Sequence, residues 1–275
     1  VQLKEGSIVG RTEVYYFTGT GNSLAVARDM AEKLKARLTP VTLDISQEGL
    51  LTQADTVGFV FPVYDFKPPP VVEEVIRQSQ NLSSRYLFAA CTYGIAPSQS
   101  LRHLEKVIVS RGGQLAAGFA VGMPHNGIGC SAVSEGEHKR LFKNWKGRSR
   151  EICEYIEAKE KGRIESSSLF SGLSGNLKMA PTLFRFLGRV LLKGINSLAL
   201  TASNDCNGCG ICARICPMHN IEIVSDKPTW ADRCASCFAC LHWCPKGAVS
   251  LGGFDADIRP YHHPDVKISD LIRYS

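Results

Sequence analysis

The sequence predicts an α/β protein: a doubly wound parallel sheet in the first half, then a second, small α+β domain built around metal-ligating cysteines. Three observations carry this expectation. Apolar strand-like runs alternate with helix-period segments from residue 13 to residue 121, the pattern of a parallel sheet covered on both faces. The first run ends in a turn rich in Gly and hydroxyl side chains, Thr18-Gly19-Thr20-Gly21-Asn22-Ser23, and a helical stripe follows it. Eight of the eleven cysteines fall within residues 206–244, at thiolate-ligand spacing.

Residues 13–17, EVYYF, are mostly β-branched and aromatic and read as the first strand. Leu24, Ala27, Ala31, Leu34 and Leu38 then fall on one helix face. Val41–Leu43 reads as a short strand, and Thr56–Phe61 as a near-continuous apolar one of the kind buried on both faces. Pro62-Val63-Tyr64-Asp65-Phe66-Lys67 and three prolines lead into a helix from about Val71 to Ser79. Arg85–Cys91 is another buried strand, ending at Thr92-Tyr93-Gly94. A helix over 99–110, a last strand over 114–121 and the loop 122–127 complete the alternation.

A Gly-rich turn between strand and helix exposes backbone N–H groups that bind phosphate, and hydroxyls add donors. A P-loop needs GxxxxGK[ST], and no Lys is present. A dinucleotide fingerprint needs GxGxxG, but Leu24 stands at the third glycine. The hydroxyl-rich pattern T-x-T-G-x-[ST], which holds a flavin monophosphate without a lysine, is met by Thr18, Gly19, Thr20, Gly21, Asn22 and Ser23 at every position. A plain strand-to-helix turn is the structural alternative. In parallel sheets ligands sit beyond the strand carboxyl ends at the switch point, where the loops 18–23, 62–67, 91–94 and 122–127 would converge.

On these residues the first half, roughly 10–160, resembles flavodoxin. The resemblance implies strand order 2-1-3-4-5 and an FMN cofactor. It places Pro62, Val63 and Tyr64 on one side of the flavin ring and Cys91, Thr92, Tyr93 and Gly94 on the other. Tyr64 and Tyr93 are the stacking candidates. Cys91 beside the flavin is expected to be passive. Flavodoxins are acidic, whereas this chain carries a net charge of +6, which sets its partners apart from theirs.

Residues 137–161 carry a weaker helical stripe, Leu141, Trp145, Ile152, Tyr155 and Ile156, that closes the first domain. A Gly/Ser-rich linker over 166–175 follows, and Pro181 opens an amphipathic helix over 182–199 with Arg185, Arg189 and Lys193 in a stripe. That helix reads as a bridge between domains, or as a face for a membrane surface or an acidic redox protein. Residues 136–200 hold thirteen basic and six acidic side chains, the source of the positive charge, which suits a redox partner with an acidic face. Nothing resembles a nucleic-acid-binding motif. No apolar run reaches the roughly 18 residues of a spanning helix, and no signal-peptide core is read in the first ten residues. The cysteine usage is that of a cytoplasmic cluster protein rather than of a disulfide scaffold; Cys91, Cys130 and Cys153 are expected to be small buried side chains.

The cysteine runs are Cys206-x2-Cys209-x2-Cys212-x3-Cys216-Pro217 and Cys234-x2-Cys237-x2-Cys240-x3-Cys244-Pro245, the second 28 positions after the first at every cysteine. The same offset maps Ile221 onto Val249 and Ile223 onto Leu251, so this is an internal repeat. Zinc also uses C-x2-C pairs, but a structural site takes four ligands as two separated pairs. Two runs of four with one Cys-Pro ending suit two [4Fe–4S] clusters better. Small residues at Gly208, Gly210, Ala235 and Ala239 let the backbone wrap closely and aim N–H groups at cluster sulfurs.

Residues 201–253 resemble a bacterial two-cluster ferredoxin. In that family the fourth cysteine of each run ligates the other cluster. The resemblance therefore groups Cys206, Cys209, Cys212 and Cys244 on one cluster, and Cys234, Cys237, Cys240 and Cys216 on the other. It also implies a small hairpin over 221–230. His219, His242 and Trp243 lie near the clusters and need no special role. The adjacent His262 and His263 point in different directions in an extended chain, so they are read as part of a surface tail packed on the core.

The domains expected are 1–165, a linker and helix over 166–200, the cluster domain at 201–253 and a tail over 254–275. Together they resemble the fused flavodoxin–ferredoxin proteins of anaerobes. That resemblance implies an electron-transfer protein relaying low-potential electrons between FMN and two clusters. The alternative is an FMN-dependent reductase of a quinone or nitro compound fed through the clusters; His125 and Asp65 are its only obvious acid–base candidates. A flavin-free scaffold carrying a grafted ferredoxin is the third reading. No nicotinamide site is apparent, and a carrier is favoured over a substrate-specific oxidoreductase.

Overall fold

The computed structural model describes residues 11–125, 134–167, 199–252 and 260–272. The first half is a six-stranded, all-parallel sheet in the order β2-β1-β3-β4-β5-β6. Its strands are β1 (Thr12–Tyr16), β2 (Arg37–Pro40), β3 (Thr56–Pro62), β4 (Tyr86–Tyr93), β5 (Leu115–Gly122) and β6 (Arg163–Ile164). The expected order 2-1-3-4-5 is present, with the two-residue β6 added at the far edge beside Ala117 and Gly118. β3 is buried along six of its seven residues, as its unbroken apolar run requires. At its centre Gly58 lies under the ring of Phe88, leaving no room for a Cβ.

Helices cover both faces. α1 (Asn22–Lys33) and α5 (Glu135–Glu157) bury Leu24, Val26, Met30, Trp145, Ile152 and Ile156 in one apolar layer. α3 (Pro70–Gln78) and α4 (Ser100–Ser110) bury Val72, Val75, Ile76, Leu101, Leu104 and Ile108 in the other. The short α2 (Leu43–Glu48) follows β2.

Two expected boundaries are corrected. The second strand is at 37–40, not 41–43, because Thr42 caps α2 by accepting from the Ile45 amide, and Leu43 is already helical. Leu38 is not on the first helix: Lys35 is left-handed at φ 49°, the helix stops at Lys33, and Leu38 pairs with Val14 in the sheet. Pro40 ends an edge strand, where its missing N–H costs no ladder bond. The linker from 168 and the helix expected over 182–199, except its last residue, lie outside the described residues, as does Cys130.

The second domain is small. β7 (Leu200–Ala202) pairs antiparallel with β10 (Val249–Leu251), and β8 (Ile221–Val224) pairs antiparallel with β9 (Lys227–Trp230), the expected hairpin. Two single-turn helices, α6 (Ile211–Arg214) and α7 (Ala239–His242), sit 28 residues apart. Its core is Cys212, Ile221, Cys240, Leu241, Val249 and Leu251. The chain closes with α8 (Ile268–Ile272).

The tail does more than lie on the surface. The His263 amide donates to the Thr20 carbonyl at 2.9 Å, and His263 is 1% exposed. The Tyr261 hydroxyl donates to Asn22 Oδ1 at 2.7 Å, while its amide donates to His242 Nδ1 at 3.2 Å. Asp270 pairs with Arg28 at 3.0 Å, and Val266 and Leu271 join the α1/α5 layer. The tail thus ties the cluster domain to the first helix.

Burial lowers the His263 pKa to about 4; Asp265 opposes this and Lys146 adds to it. In the unfolded chain an imidazole titrates near ~6.5, so the unfolded state takes the proton first as pH falls. The neutral His263 then contributes stability that is fully present above about pH 6.5 and is lost progressively toward about pH 4, up to roughly 3 kcal/mol. Unfolding midpoints measured across that range should fall more steeply for the native chain than for His263→Gln. Parallel profiles would show that this imidazole does not drive the change.

Candidate redox site at the domain junction

The turn that begins α1 runs from the end of β1 into the helix N-terminus. Gly21 is left-handed at φ 94° and precedes the helix, and its amide donates to Thr18 Oγ1 at 3.0 Å. Ser23 shares a hydrogen bond with Thr92 at 2.8 Å, joining the end of β4 to the turn. Asn22 donates to the Pro124 carbonyl at 2.9 Å, bringing in the loop after β5. The strand-end loops therefore converge on residues 18–23. Thr20, Asn22 and Ser23 are 3%, 7% and 1% exposed, so the turn is enclosed.

The other ring candidates are distributed less simply. Tyr64 reaches back toward the turn: its ring meets Phe17 edge-on at 6.4 Å, and its hydroxyl stands over Gly19. Pro62 and Val63 are half-buried beside it, and the Val63 amide donates to the Thr92 carbonyl at 2.9 Å. Tyr93 is half-buried, with its hydroxyl near Gly122. Gly94 packs directly on His125. Cys91 is fully buried in the α3/α4 layer, and burial pushes its thiol pKa well up, so a flavin contact there falls to its backbone. Of the acid–base candidates, burial holds His125 below the usual imidazole range, and Asp65 is an exposed turn residue at φ 46°.

The donor set fits a flavin phosphate. It combines the N-terminus of a twelve-residue helix, a left-handed Gly21 and hydroxyls from Thr18, Thr20 and Ser23, enclosed without a lysine.

In the cluster domain the repeat is visible in the backbone. Gly208 and Gly210 are left-handed at φ 68° and 72°, and so are their counterparts 28 positions on, Ser236 and Phe238, at 52° and 53°. The second run adopts, with ordinary side chains, a conformation that favours glycine, at a cost of roughly 1–2 kcal/mol each. The Asn220 amide donates to Cys216 Sγ at 3.4 Å and the Ala248 amide to Cys244 Sγ at 3.3 Å, again one repeat apart. Such amide-to-sulfur bonds tune cluster potentials.

Cys206, Cys209, Cys212 and Cys244 line one cavity. Cys237 and Cys240 each lie near Cys216 and Cys234. Cys244 thus shares a cavity with the first run's cysteines, while Cys240 also lies near Cys212. Burial raises the Cys237 thiol strongly and the Cys240 thiol to about 12, so a metal held there would displace their protons. Among the described residues no three His, Cys, Asp or Glu side chains converge on a single metal ion.

Residues 205–249 match the family model of a 4Fe-4S dicluster domain. By fold, the chain is a flavodoxin-like domain joined to a 4Fe-4S dicluster domain. No curated protein matches it. Solved structures similar to the flavodoxin-like half include a flavodoxin from Streptococcus pneumonia TIGR4, at 16% identity, covering 52% of this chain and 97% of that one, TM-score 0.35. The Trp repressor binding protein from Bacillus subtilis is 16% identical over 51% and 96% of the two chains, TM-score 0.36. An azoreductase from Bacillus anthracis is 8% identical over 52% and 98%, TM-score 0.38. The flavodoxin-like assignment rests on the sheet order itself.

The dicluster domain docks on the carboxyl ends of the flavodoxin-like strands. The Trp243 indole N–H donates to the Gly19 carbonyl at 2.9 Å, and the indole stacks on His262 at 4.3 Å. The Leu43 amide donates to the Pro217 carbonyl at 2.9 Å. A Cβ on Gly19 would collide with the Cys237 carbonyl. Ile215, Ala239 and Trp243 join the α1/α5 layer, while Met218, Ala235 and Cys237 pack on the other. Trp243 is therefore a junction residue, not a bystander of the clusters. Its sequence signal is faint, because a Trp before a Cys-Pro says nothing about a partner 224 positions away. Trp243→Phe keeps the ring but leaves the Gly19 carbonyl unpaired. It should lower stability by about 1–3 kcal/mol in chemical denaturation of the intact protein with iron content unchanged. A wild-type midpoint would show the bond to be idle.

Proposed function

We propose that this chain is an electron-transfer protein that relays low-potential electrons between two [4Fe–4S] clusters and one FMN. The observation that carries this reading is the junction: the backbone of a cluster ligand, Cys237, rests against Gly19 in the turn suited to the flavin phosphate. In the crossed grouping Cys206, Cys209, Cys212 and Cys244 would hold one cluster. Cys216, Cys234, Cys237 and Cys240 would hold the other. Thr18–Ser23 would hold the FMN phosphate, with Pro62–Tyr64 and Cys91–Gly94 flanking the ring. FMN exchanges one or two electrons and each cluster one, so a covalent join makes the exchange intramolecular.

The electron source or sink beyond the chain is a redox protein. Part of the positive charge proposed to attract it is committed internally, since Arg148 and Arg163 pair with Glu151 and Glu165. Among the described residues no helix is long and apolar enough to cross a membrane. A cytoplasmic setting is part of this proposal, resting on the cysteine usage. A second reading, reduction of a small acceptor at the flavin, draws on exposed Phe66, 45% accessible in the loop 62–67, and Ile95, 38% accessible just past Gly94.

Anaerobic purification with iron and flavin counts tests the cofactors. About eight irons and one FMN per chain are expected. About four irons, or no flavin, would overturn the reading. Rapid turnover with a quinone or nitro compound would favour the reductase.

A further inference from the structure

The docking geometry is asymmetric with respect to the two cysteine groups. Among the described residues, the backbone contacts that the ligand-bearing loops make with the strand-end loops come from Cys237 and from Pro217 beside Cys216, and the Trp243 indole adds one from beside Cys244. The Cys237 carbonyl packs on Gly19, and the Tyr64 hydroxyl stands over the same glycine. Cys216 and Pro217 line a small cavity shared with Phe17, Thr18 and Thr42, and the Pro217 carbonyl accepts from Leu43. The cavity of Cys206, Cys209, Cys212 and Cys244 is bounded only by residues of the dicluster domain itself, among them Ile223, Pro228 and Val249. Cys209 in that group is exposed.

We infer that the relay has a fixed order: the cluster held mainly by the second run is the flavin's neighbour, and Cys237 is the ligand at which electrons cross, toward Gly19 and Tyr64. The cluster held mainly by the first run is the outer station. The inference rests on the FMN and two-cluster reading above. An external one-electron donor, a low-potential carrier protein, reduces the outer cluster. One electron then passes to the inner cluster, which returns to its oxidised state by reducing the flavin by one electron. A second passage, with two protons from solvent, completes the two-electron reduction. Trp243 offers the rival route. It precedes Cys244, a ligand of the outer group, and its indole also reaches Gly19. That path leaves the outer cluster through a neighbouring side chain, whereas Cys237 touches the turn with its own backbone.

The test uses the whole chain, purified anaerobically, with one exposed ligand removed from each group: Cys209→Ser and Cys234→Ser. Each should retain about four of about eight irons. The readout is the microwave-power saturation of the bound flavin's paramagnetic signal, which a nearby reduced cluster relaxes. The enhancement should survive in Cys209→Ser and be lost in Cys234→Ser. The reverse pattern, or enhancement retained in both, overturns the order. If a variant fails to fold, an iron-edge anomalous map from crystals of the unmodified holoprotein decides. The iron site nearest residues 18–23 should be enclosed by Cys216, Cys234, Cys237 and Cys240. A nearest site enclosed by Cys206, Cys209, Cys212 and Cys244 overturns it. A wild-type protein without flavin would defeat the proposed function, while the iron map would still test the order.

Discussion

Cys216→Ala should remove about half the iron, and the cluster lost should be the one held mainly by the other run. Cys216 lies near Cys234, Cys237 and Cys240, across 28 residues of repeat, while Cys206, Cys209 and Cys212 surround a cavity closed by Cys244. Combining variants separates crossed from uncrossed ligation. Cys216→Ala with Cys234→Ala damages one cluster twice, so iron should stay near four per chain. Cys216→Ala with Cys209→Ala damages both, so iron should fall toward none. Effects on one shared site do not add, whereas effects on separate sites do. If the two double variants behave the other way round, each run holds its own cluster.

Gly19→Ala should separate the domains. The substitution adds one methyl group, but it points at the backbone carbonyl of Cys237 and lies close to the Tyr64 hydroxyl. A carbonyl carried by a ligand loop cannot swing aside as a flexible side chain can. Overpacking of this kind costs about 1–3 kcal/mol. The expected outcome is a chain with the native iron content but a lower melting temperature, cleaved faster by protease at the junction and with flavin reduction uncoupled from cluster reduction. Native melting together with native coupling would show that the junction is looser than this packing implies.

Some of this arrangement was legible because its physics is local. The alternation of apolar strands with helix-period segments specifies a covered parallel sheet, and it placed β3, β4, β5, α3 and α4 to within about two residues of their bounds, and α5 to within about four. The second strand was misplaced because Leu38 continues the α1 stripe in sequence. Only the left-handed backbone at Lys35 breaks the helix before it. The cysteine repeat was legible because ligand spacing is set by the cluster, and it reappears in the left-handed positions 208, 210, 236 and 238. That Ser236 and Phe238 would adopt that conformation was not legible, since neither residue type announces it.

By itself, the sequence determined the parallel sheet, the Gly-rich strand-to-helix turn at Thr18–Ser23 proposed to hold a phosphate, and the spacing of the eight cysteines proposed as cluster ligands. Each follows from periodicity or spacing over a few tens of residues. Only the tertiary structure decided that the dicluster domain sits on that turn, with Cys237 over Gly19 and the Trp243 indole bonded to it. It alone showed that residues 261–271 tie the two domains together, holding His242 on one side and Asn22, Thr20 and Arg28 on the other. Those contacts join positions more than 200 residues apart by shape and hydrogen bonding, and no local pattern encodes them. The glycine at 19 was legible as part of a turn. That its missing side chain also makes room for a second domain is a property of the packed molecule.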